Sequence, residues 1–180
     1  MTETTTLTAD PGKDAHAAVR GELGILARRR IEAAIIAPIY EEMRARLGEE
    51  TAQSILDEAI RKAAVAAGQS FAAKTPGGTD LRSFQDLQVL WTQEDALVTD
   101  VLKATDTEFD LNVRRCRYAE MYREMGLGHI GHLLSCNRDF VFCRGYDARI
   151  ALERTQTLMQ GASHCDFRYR LKEPAGGEKA

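Results

Sequence analysis

The chain has 180 residues, 44% of them hydrophobic, which is enough to bury one core and falls in the usual size range of one domain. Its formal net charge is −3 with acidic and basic residues interspersed, so it lacks the basic field that binding to nucleic acid or anionic lipid requires. The longest apolar run, residues 31–39, is interrupted by Glu32 and Pro38 and is far shorter than the roughly 20 residues of a membrane span, so we expect no membrane contact.

The first two thirds of the chain contain no cysteine, and all four cysteines follow residue 115 (Cys116, Cys136, Cys143 and Cys165). Residues 1–14 lack the basic and apolar stretches of a secretory signal, so we predict a cytoplasmic location. In the cytoplasm, cysteines are expected as reduced thiols, metal ligands or nucleophiles rather than as disulfides. Their clustering indicates a site in the C-terminal third.

Helical periodicity dominates the first half of the chain. Apolar residues recur at helical spacing over residues 22–47 and again over residues 49–74, with Gly48 between them, which predicts a helical hairpin. Pro38 is a possible bend in the first helix. Residues 75–80 predict a loop, and Thr79 or Asp80 is a suitable N-cap for a third helix that reaches Trp91.

Alternation at period two replaces the helical pattern from residue 96 onward. Residues 96–104 and 108–114 predict a β-hairpin, and residues 149–157 and 164–171 predict two more strands. Helices are expected between them, over residues 117–125, 127–134 and 138–143. The predicted fold class is therefore α+β, an N-terminal helical hairpin plus a mostly antiparallel sheet with inserted helices.

We expect one domain over residues 15–172, helical over residues 20–92 and sheet-containing over residues 96–172. Residues 1–14 and 173–180 are small, polar and aperiodic, which predicts disordered tails.

The densest group of reactive side chains is the segment Gly161–Arg168. On a strand, alternation places His164 and Asp166 on one face and Cys165 and Phe167 on the other. Either Cys165 or the pair of His164 and Asp166 therefore faces a site, or the strand has only a structural role.

Cys116 stands where a strand is followed by a helix, between Arg115 and Arg117. The helix dipole and the two cations would favour its thiolate, which suits a metal ligand or a nucleophile. Glu120 would lie one turn further on the same side, where it could act as a general acid or base. Alternatively, Cys116 is a core residue and the arginines are solvated. Cys143 ends an apolar run, and we expect it in the core.

Cys116, Cys136 and Cys165 come from three different elements and could converge on zinc, which binds thiolates tetrahedrally. Their spacing is not that of a zinc finger, because no Cys-x-x-Cys occurs. Nucleobase deaminases use a cysteine-bound zinc, a water and a nearby carboxylate to hydrolyse a C=N carbon. A catalytic zinc site is therefore one prediction.

Three linked motifs resemble the L-2-amino-thiazoline-4-carboxylic acid hydrolase family. They are FDLNVRRCRYAEMYREMGL at residues 109–127, LSCNRD at residues 134–139 and RTQTLMQGASHCDFRY at residues 154–169. The resemblance covers roughly residues 107–171 in order and spacing, and the N-terminal helices fit less closely. It implies a hydrolase in which water adds to the C=N carbon of a small cyclic amidine or cyclic amide, so that the ring opens to a carbamoyl amino acid.

The resemblance and the clusters together suggest a mechanism with Zn²⁺ held by Cys116, Cys136 and Cys165, whose bound hydroxide attacks the amidine carbon. Without a metal, Cys165 or Cys116 would attack as a thiolate assisted by His164. The predicted catalytic residues are Glu120, His164, Cys165 and Asp166, and the predicted substrate-binding residues are Arg115, Arg117, Asn137 and Arg168.

The positions of Cys136 and of residues 161–165 also resemble 4-vinyl-reductase-type small-molecule-binding domains, in which cysteines at similar places hold zinc. Thr157 stands here where a further cysteine would be expected. The alternative function is a non-catalytic small-molecule sensor with a structural zinc, and the plainest one is an α+β scaffold with buried cysteines. The apolar stripes of the N-terminal helices predict a homo-oligomer.

Overall fold

Two long helices, a four-stranded antiparallel sheet and several shorter helices form the fold in the computed structural model, which describes residues 23–172. The predicted fold class, an N-terminal helical hairpin plus an antiparallel sheet with inserted helices, is confirmed. The predicted tails at residues 1–14 and 173–180 lie outside the described residues, as does the predicted start of the first helix at residue 22.

The helical hairpin consists of α1 (Ile25–Leu47) and α2 (Glu49–Ala72). Gly48 joins them with a φ of +84°, a conformation that favours glycine, so the predicted stop at this residue is confirmed. Pro38 lies inside α1. None of the helices in residues 23–172 combines the length and hydropathy that a membrane span requires.

The predicted third helix is two short ones, α3 (Leu81–Asp86) and α4 (Val89–Thr92). Asp80 is the N-cap of α3, as predicted, and its Oδ1 accepts a 2.7 Å hydrogen bond from the Ser83 amide. The continuous helix to Trp91 was wrong, because the amides of Gln88 and Leu90 each bond to the carbonyl three residues back, which is tighter than α-helical bonding.

The sheet has the order β1-β2-β4-β3, and every neighbouring pair is antiparallel. Its strands are β1 (Leu97–Ala104), β2 (Glu108–Cys116), β3 (Ile150–Glu153) and β4 (Cys165–Leu171). The predicted hairpin of β1 and β2 is confirmed. β3 is shorter than predicted because the amides of Thr155 and Gln156 bond to the Asp166 carboxylate instead of to a neighbouring strand.

Helices α5 (Arg117–Glu124) and α6 (Asn137–Tyr146) connect β2 to β3. Most of the helix predicted at residues 127–134 is absent, since turns lead from α5 to a short π-helix, His132–Cys136, which joins α6 directly.

Helix α6 packs closely on α2 at two glycines. A Cβ on Gly68 would lie 2.4 Å from the Phe142 carbonyl oxygen, and one on Gly145 would lie 2.5 Å from the Val65 carbonyl oxygen. The two backbones therefore approach each other at a distance that only glycine permits. Cys143 is fully buried in this part of the core, as predicted.

Candidate functional site

A cavity of about 870 Å³ is bounded by α1, α2, α6 and one face of the sheet. Three cysteines line it: Cys116 from the end of β2, Cys136 from the end of the π-helix and Cys165 from the start of β4. The structure thus places on the wall of one cavity the three thiols that the sequence assigns to different elements. The strand alternation puts Cys165 and Phe167 on the cavity side.

An ion pair between Asp139 and Arg154 lies on the cavity wall. Arg154 Nη1 is 2.5 Å from Asp139 Oδ2, and its Nη2 donates a 2.9 Å hydrogen bond to the Cys136 carbonyl oxygen. The guanidinium carbon also lies 4.8 Å from the centroid of the Phe140 ring and 4.9 Å from that of Phe167. With 4% of its side chain exposed, Arg154 is fixed between two rings, a carboxylate and a carbonyl.

The environment of Asp139 raises the pKa of its carboxyl group. Burial is the main cause, and the nearby cations Arg154, Arg29 and Arg138 oppose it without cancelling it. Asp139 keeps 30% of its side-chain surface accessible while lining the cavity, so it can contact a bound molecule. A carboxyl group with a raised pKa can accept and return a proton closer to neutral pH than an ordinary aspartate can.

The three cavity thiols are protonated at neutral pH. Burial raises the pKa of Cys116 to about 11 and that of Cys136 to about 12, and it also raises the pKa of Cys165. Negative charge on Asp139 also raises the pKa of all three thiols. A buried thiol beside a carboxylate gives up its proton with difficulty.

The favoured thiolate that the sequence predicts at Cys116 is therefore wrong, for two physical reasons. Cys116 is the N-cap of α5 and its sulfur accepts from an amide of the first turn, but this contribution is smaller than that of burial. The flanking cations also have other partners: Arg115 bonds to Glu120 at 2.8 and 2.9 Å, and Arg117 donates to the Glu94 carbonyl oxygen at 2.6 Å.

A second set of charges connects α1 to α6 along the same wall. Arg29 Nη1 bonds to both carboxylate oxygens of Glu32 at 2.9 and 2.7 Å, and Arg138 Nη2 lies 3.2 Å from Glu32. Arg138 is 12% exposed and Arg29 is 15% exposed. Two arginines thus share one carboxylate, which leaves an excess of positive charge at this position.

Aromatic rings cover the cavity wall beyond the charged residues. Trp91 lies 5.1 Å from Phe142 and 6.1 Å from Phe71, measured between ring centroids, and Phe84 lies 5.0 Å from Tyr169. All five residues line the cavity. The cavity therefore has a charged part and an aromatic part.

The predicted zinc ion has no site of suitable geometry in residues 23–172, where no three His, Cys, Asp or Glu side chains are grouped closely enough to hold a metal. The thiols as placed do not fit a tetrahedral zinc site, which needs three or four donors at bonding distance. Zinc stays a prediction, and no step proposed below depends on it.

The other predicted catalytic residues do not line the cavity. Glu120 bonds to Arg115, which lowers the pKa of the Glu120 carboxyl group. Burial acts to raise the pKa of Asp166, but hydrogen bonds from the 155–156 segment outweigh it and lower that pKa. The His164 ring lies 3.0 Å from Gln156 and from Ser163.

The predicted substrate-binding residues also have protein partners away from the cavity wall. Arg168 donates to the Leu111 carbonyl oxygen and to Asn112, and Asn137 donates to Asp57 at 2.5 Å. Arg115 bonds to Glu120 and Arg117 bonds to the Glu94 carbonyl oxygen, as described above. The roles assigned to these residues stay predictions.

Sequence reasoning missed Asp139 and Arg154, although both lie within the motifs quoted above. Asp139 follows Cys136 by three residues, which on a helix places both side chains on one face. Helical spacing alone could have identified Asp139. Arg154 follows β3, and its contact with α6 depends on the fold.

An α+β fold around a large cavity of mixed polarity is the architecture of a small-molecule-binding domain. Sequence comparison is more specific, because the family model for L-2-amino-thiazoline-4-carboxylic acid hydrolase matches residues 28–169. The chain belongs to that family, and the match includes most of α1 and all of α2. None of the curated proteins matches the sequence significantly.

Two solved structures are similar to this chain at low sequence identity. The phenol-responsive sensory domain of the transcription activator PoxR, solved with phenol, has a TM-score of 0.51 and 13% identity over 77% of this chain and 74% of that one. Trafficking protein particle complex subunit 3 from Naegleria fowleri, covalently bound to palmitic acid, has a TM-score of 0.48 and 14% identity over 80% of this chain and 97% of that one. At 13% identity, the first similarity concerns the fold alone.

Proposed function

We propose that the chain is a hydrolase that opens the ring of a small cyclic amidine or cyclic amide, such as 2-aminothiazoline-4-carboxylate, to a carbamoyl amino acid. The observation on which this depends is the ion pair of buried Arg154 and partly buried Asp139 on the wall of a cavity that can hold such a molecule. Membership of the hydrolase family supports the reaction class.

Asp139 is the general base in this proposal. Its carboxylate takes a proton from water while the water oxygen forms a bond to the amidine carbon, and the electron pair of the C=N bond moves to nitrogen, which takes that proton from Asp139. As the tetrahedral intermediate collapses, its hydroxyl group gives its proton to Asp139 and becomes the carbonyl, one ring bond of that carbon breaks, and Asp139 passes the proton to the leaving ring atom. The sum is addition of one water molecule, and the raised pKa of Asp139 suits these proton transfers.

The arginines orient the substrate in this proposal. A carboxylate on the ring pairs with Arg138 and Arg154, since both residues line the cavity. Arg154 also stays bonded to Asp139 and so holds the base in one position. Proximity of base, water and carbon contributes to the expected acceleration.

The protonated thiols have a supporting role here. Cys116, Cys136 and Cys165 form an apolar, polarisable wall beside Asp139 and exclude bulk water. A cysteine nucleophile would need a thiolate that burial disfavours. This is why we prefer Asp139 over Cys165 as the residue that starts the reaction.

The test is turnover of 2-aminothiazoline-4-carboxylate, followed by mass spectrometry as the gain of one water. Asp139→Asn should lower kcat by about 100-fold or more, within the range for loss of a general base. Asp166→Asn is the matched control, because it makes the same substitution at an aspartate of β4 that lies off the cavity wall. Full activity in Asp139→Asn, or equal loss in both variants, would contradict the proposed base.

A second candidate function is non-catalytic sensing of a small molecule. It is favoured by the fold shared with a phenol-responsive sensory domain at a TM-score of 0.51. A sensor binds its ligand in the cavity and returns it unchanged. Calorimetric binding of candidate heterocycles without any ring opening would therefore support the sensor over the hydrolase.

We infer that two copies associate through α1. Ile31, Ile35 and Ile39 are exposed and fall on one face of this helix. A two-fold axis at Ile35 would place Ile31 opposite Ile39 of the second copy, so this apolar face is complementary to itself. A cytoplasmic location is supported by four free cysteines, as expected in a reducing compartment.

A further inference from the structure

The charges on the cavity wall are strongly unbalanced. Five of the described lining residues are cationic and two are acidic, although the whole chain has a formal net charge of −3. These are Arg28, Arg29, Lys74, Arg138 and Arg154 against Glu32 and Asp139. Positive charge that is concentrated in a concave, partly desolvated wall attracts an anion.

The aromatic part of the same wall is equally concentrated. Seven of the chain's twelve aromatic residues line the cavity: Phe71, Phe84, Trp91, Tyr118, Phe142, Phe167 and Tyr169. Small side chains on α2, Ala63, Ala64 and Ala67, leave the space in front of these rings open. An apolar group that fills this space would exchange water contacts for ring contacts.

Helix α6 connects the two parts. Asp139 and Phe142 are three residues apart on the same face of the helix, so their Cα atoms are separated by about 4.5 Å along its axis. Asp139 contacts Arg154, and Phe142 contacts Trp91 and Phe71. A molecule that touches Asp139 with one end therefore reaches the aromatic rings within a few bonds.

A five-membered ring with one carboxylate occupies only part of this space. The volume of about 870 Å³ lies near the top of the range of roughly 300–1,000 Å³ in which proteins hold drug-sized ligands. The charged part alone accounts for recognition of the carboxylate. A ligand as small as 2-aminothiazoline-4-carboxylate, held by the charged part, then leaves most of the aromatic part unfilled.

We infer that the physiological ligand is an amphipathic carboxylate, in which the acid group pairs with the arginines and an aryl or alkyl group fills the space between Ala67 and the aromatic rings. This inference rests on the proposed function for the position of the carboxylate, and it adds that the substrate is a substituted ring larger than the unsubstituted amino-thiazoline acid.

The experiment measures binding of acetate, benzoate and 4-phenylbutyrate to the full chain, together with the neutral 4-phenylbutyramide. Trp91 is the one tryptophan of the sequence and lines the cavity, so its fluorescence reports occupancy directly. Burial of a phenyl group predicts a Kd for 4-phenylbutyrate that is roughly 10- to 100-fold lower than that for acetate. Loss of the charge in the amide should raise Kd about tenfold.

A matched pair of variants locates the apolar group. Ala67→Leu narrows the space beside Phe71, one turn away on α2, and should raise the Kd for 4-phenylbutyrate about tenfold while acetate stays unchanged. Ala66→Leu is the control, because Ala66 is exposed on the same helix and does not line the cavity. Circular dichroism of both variants confirms that they fold.

Two outcomes separate this inference from the proposed hydrolase. Equal affinity for the three acids, or equal affinity for the acid and its amide, would overturn the amphipathic ligand even if 2-aminothiazoline-4-carboxylate is turned over. Tight binding of 4-phenylbutyrate with no turnover of any heterocycle would support the ligand class and overturn the hydrolase.

Discussion

Asp139 and Arg154 form an ion pair with a distance of 2.5 Å between Oδ2 and Nη1, on the wall of the cavity of about 870 Å³. The pair joins the first turn of α6 to the segment that follows β3. Both charges are largely withdrawn from solvent, so each depends on the other for compensation.

Removing one partner of this pair should destabilise the fold strongly. Arg154→Met leaves Asp139 without its closest cation, and we expect a loss of about 3–5 kcal/mol in the free energy of unfolding. The double variant Asp139→Asn with Arg154→Met removes the uncompensated charge and should recover much of that loss. Urea unfolding followed by circular dichroism measures both, and additive effects would contradict a coupled pair.

The raised pKa of Asp139 gives a pH dependence with a defined sign. Burial raises its folded pKa above the ordinary value of about 3.9, so the native state binds more protons than the unfolded state between these two values. The difference in unfolding free energy between the wild type and Asp139→Asn therefore favours the wild type most below about pH 4. This difference falls as pH rises through the raised pKa. Denaturation series at several pH values test this, and a difference that rises with pH would contradict it.

Catalytic activity should change with pH in the opposite direction to stability. A general base works only when deprotonated, so kcat/KM is expected to rise with pH through the raised pKa of Asp139. The residual activity of Asp139→Asn should lack this step. A step that persists in the variant would assign the base to another residue.

The cavity cysteines should react slowly with alkylating reagents. With a pKa of about 11, only about one in ten thousand Cys116 thiols is ionised at pH 7, and Cys136 is less ionised still. Iodoacetamide labelling of native protein should be at least about 100-fold slower than labelling in urea, as mass spectrometry of peptides would show. Fast labelling of Cys165 that abolishes turnover would instead support a cysteine nucleophile.

The zinc prediction has its own test in elemental analysis of protein purified without a histidine tag. If it is right, the wild type holds about one zinc per chain, and Cys116→Ser, Cys136→Ser and Cys165→Ser each lose it. Wild-type protein that turns over substrate without zinc would exclude the metal mechanism.

The close packing of α2 on α6 should not tolerate a side chain at Gly68. A Cβ there would lie 2.4 Å from the Phe142 carbonyl oxygen and 2.7 Å from the Tyr146 amide nitrogen, so Gly68→Ala forces the helices apart. We expect a loss of about 1–3 kcal/mol in thermal or urea unfolding. Gln69→Ala is the matched control, because Gln69 is exposed on the same turn and should have little effect.

Association through α1 should be sensitive to charge at its centre. Ile35 is 60% exposed and would contact its own copy across the two-fold axis, so Ile35→Glu places two like charges together and should yield monomers. Light scattering after size exclusion measures the mass. Ile55→Glu is the control on α2, and monomeric wild-type protein at high concentration would contradict the interface.

Several elements of the fold followed from the sequence. The hairpin of α1 and α2, the pairing of β1 with β2 and the Asp80 cap all follow from periodicity and local hydrogen bonding. The end of β3 did not follow from the sequence, because the Asp166 carboxylate accepts hydrogen bonds from two amides that a longer strand would have bonded to a neighbouring strand. Such competition depends on a contact between residues ten or more positions apart.

The candidate site was predictable only in part, for the same reason. Clustering of cysteines indicated the cavity, but Asp139 and Arg154 become partners only when α6 and β3 are in place. The pKa of the Cys116 thiol could not be predicted either. The two arginines beside it are visible in the sequence, whereas burial, which depends on the fold, has the larger effect on that pKa.

The most direct measurement is a crystal structure of Asp139→Asn soaked with 2-aminothiazoline-4-carboxylate, since this variant should bind the substrate without opening its ring. The account predicts density for an intact ring in the cavity, with its carboxylate within hydrogen-bonding distance of Arg138 or Arg154 and its amidine carbon beside residue 139. An empty cavity with the molecule bound near Glu120, His164 or Asp166 would contradict it.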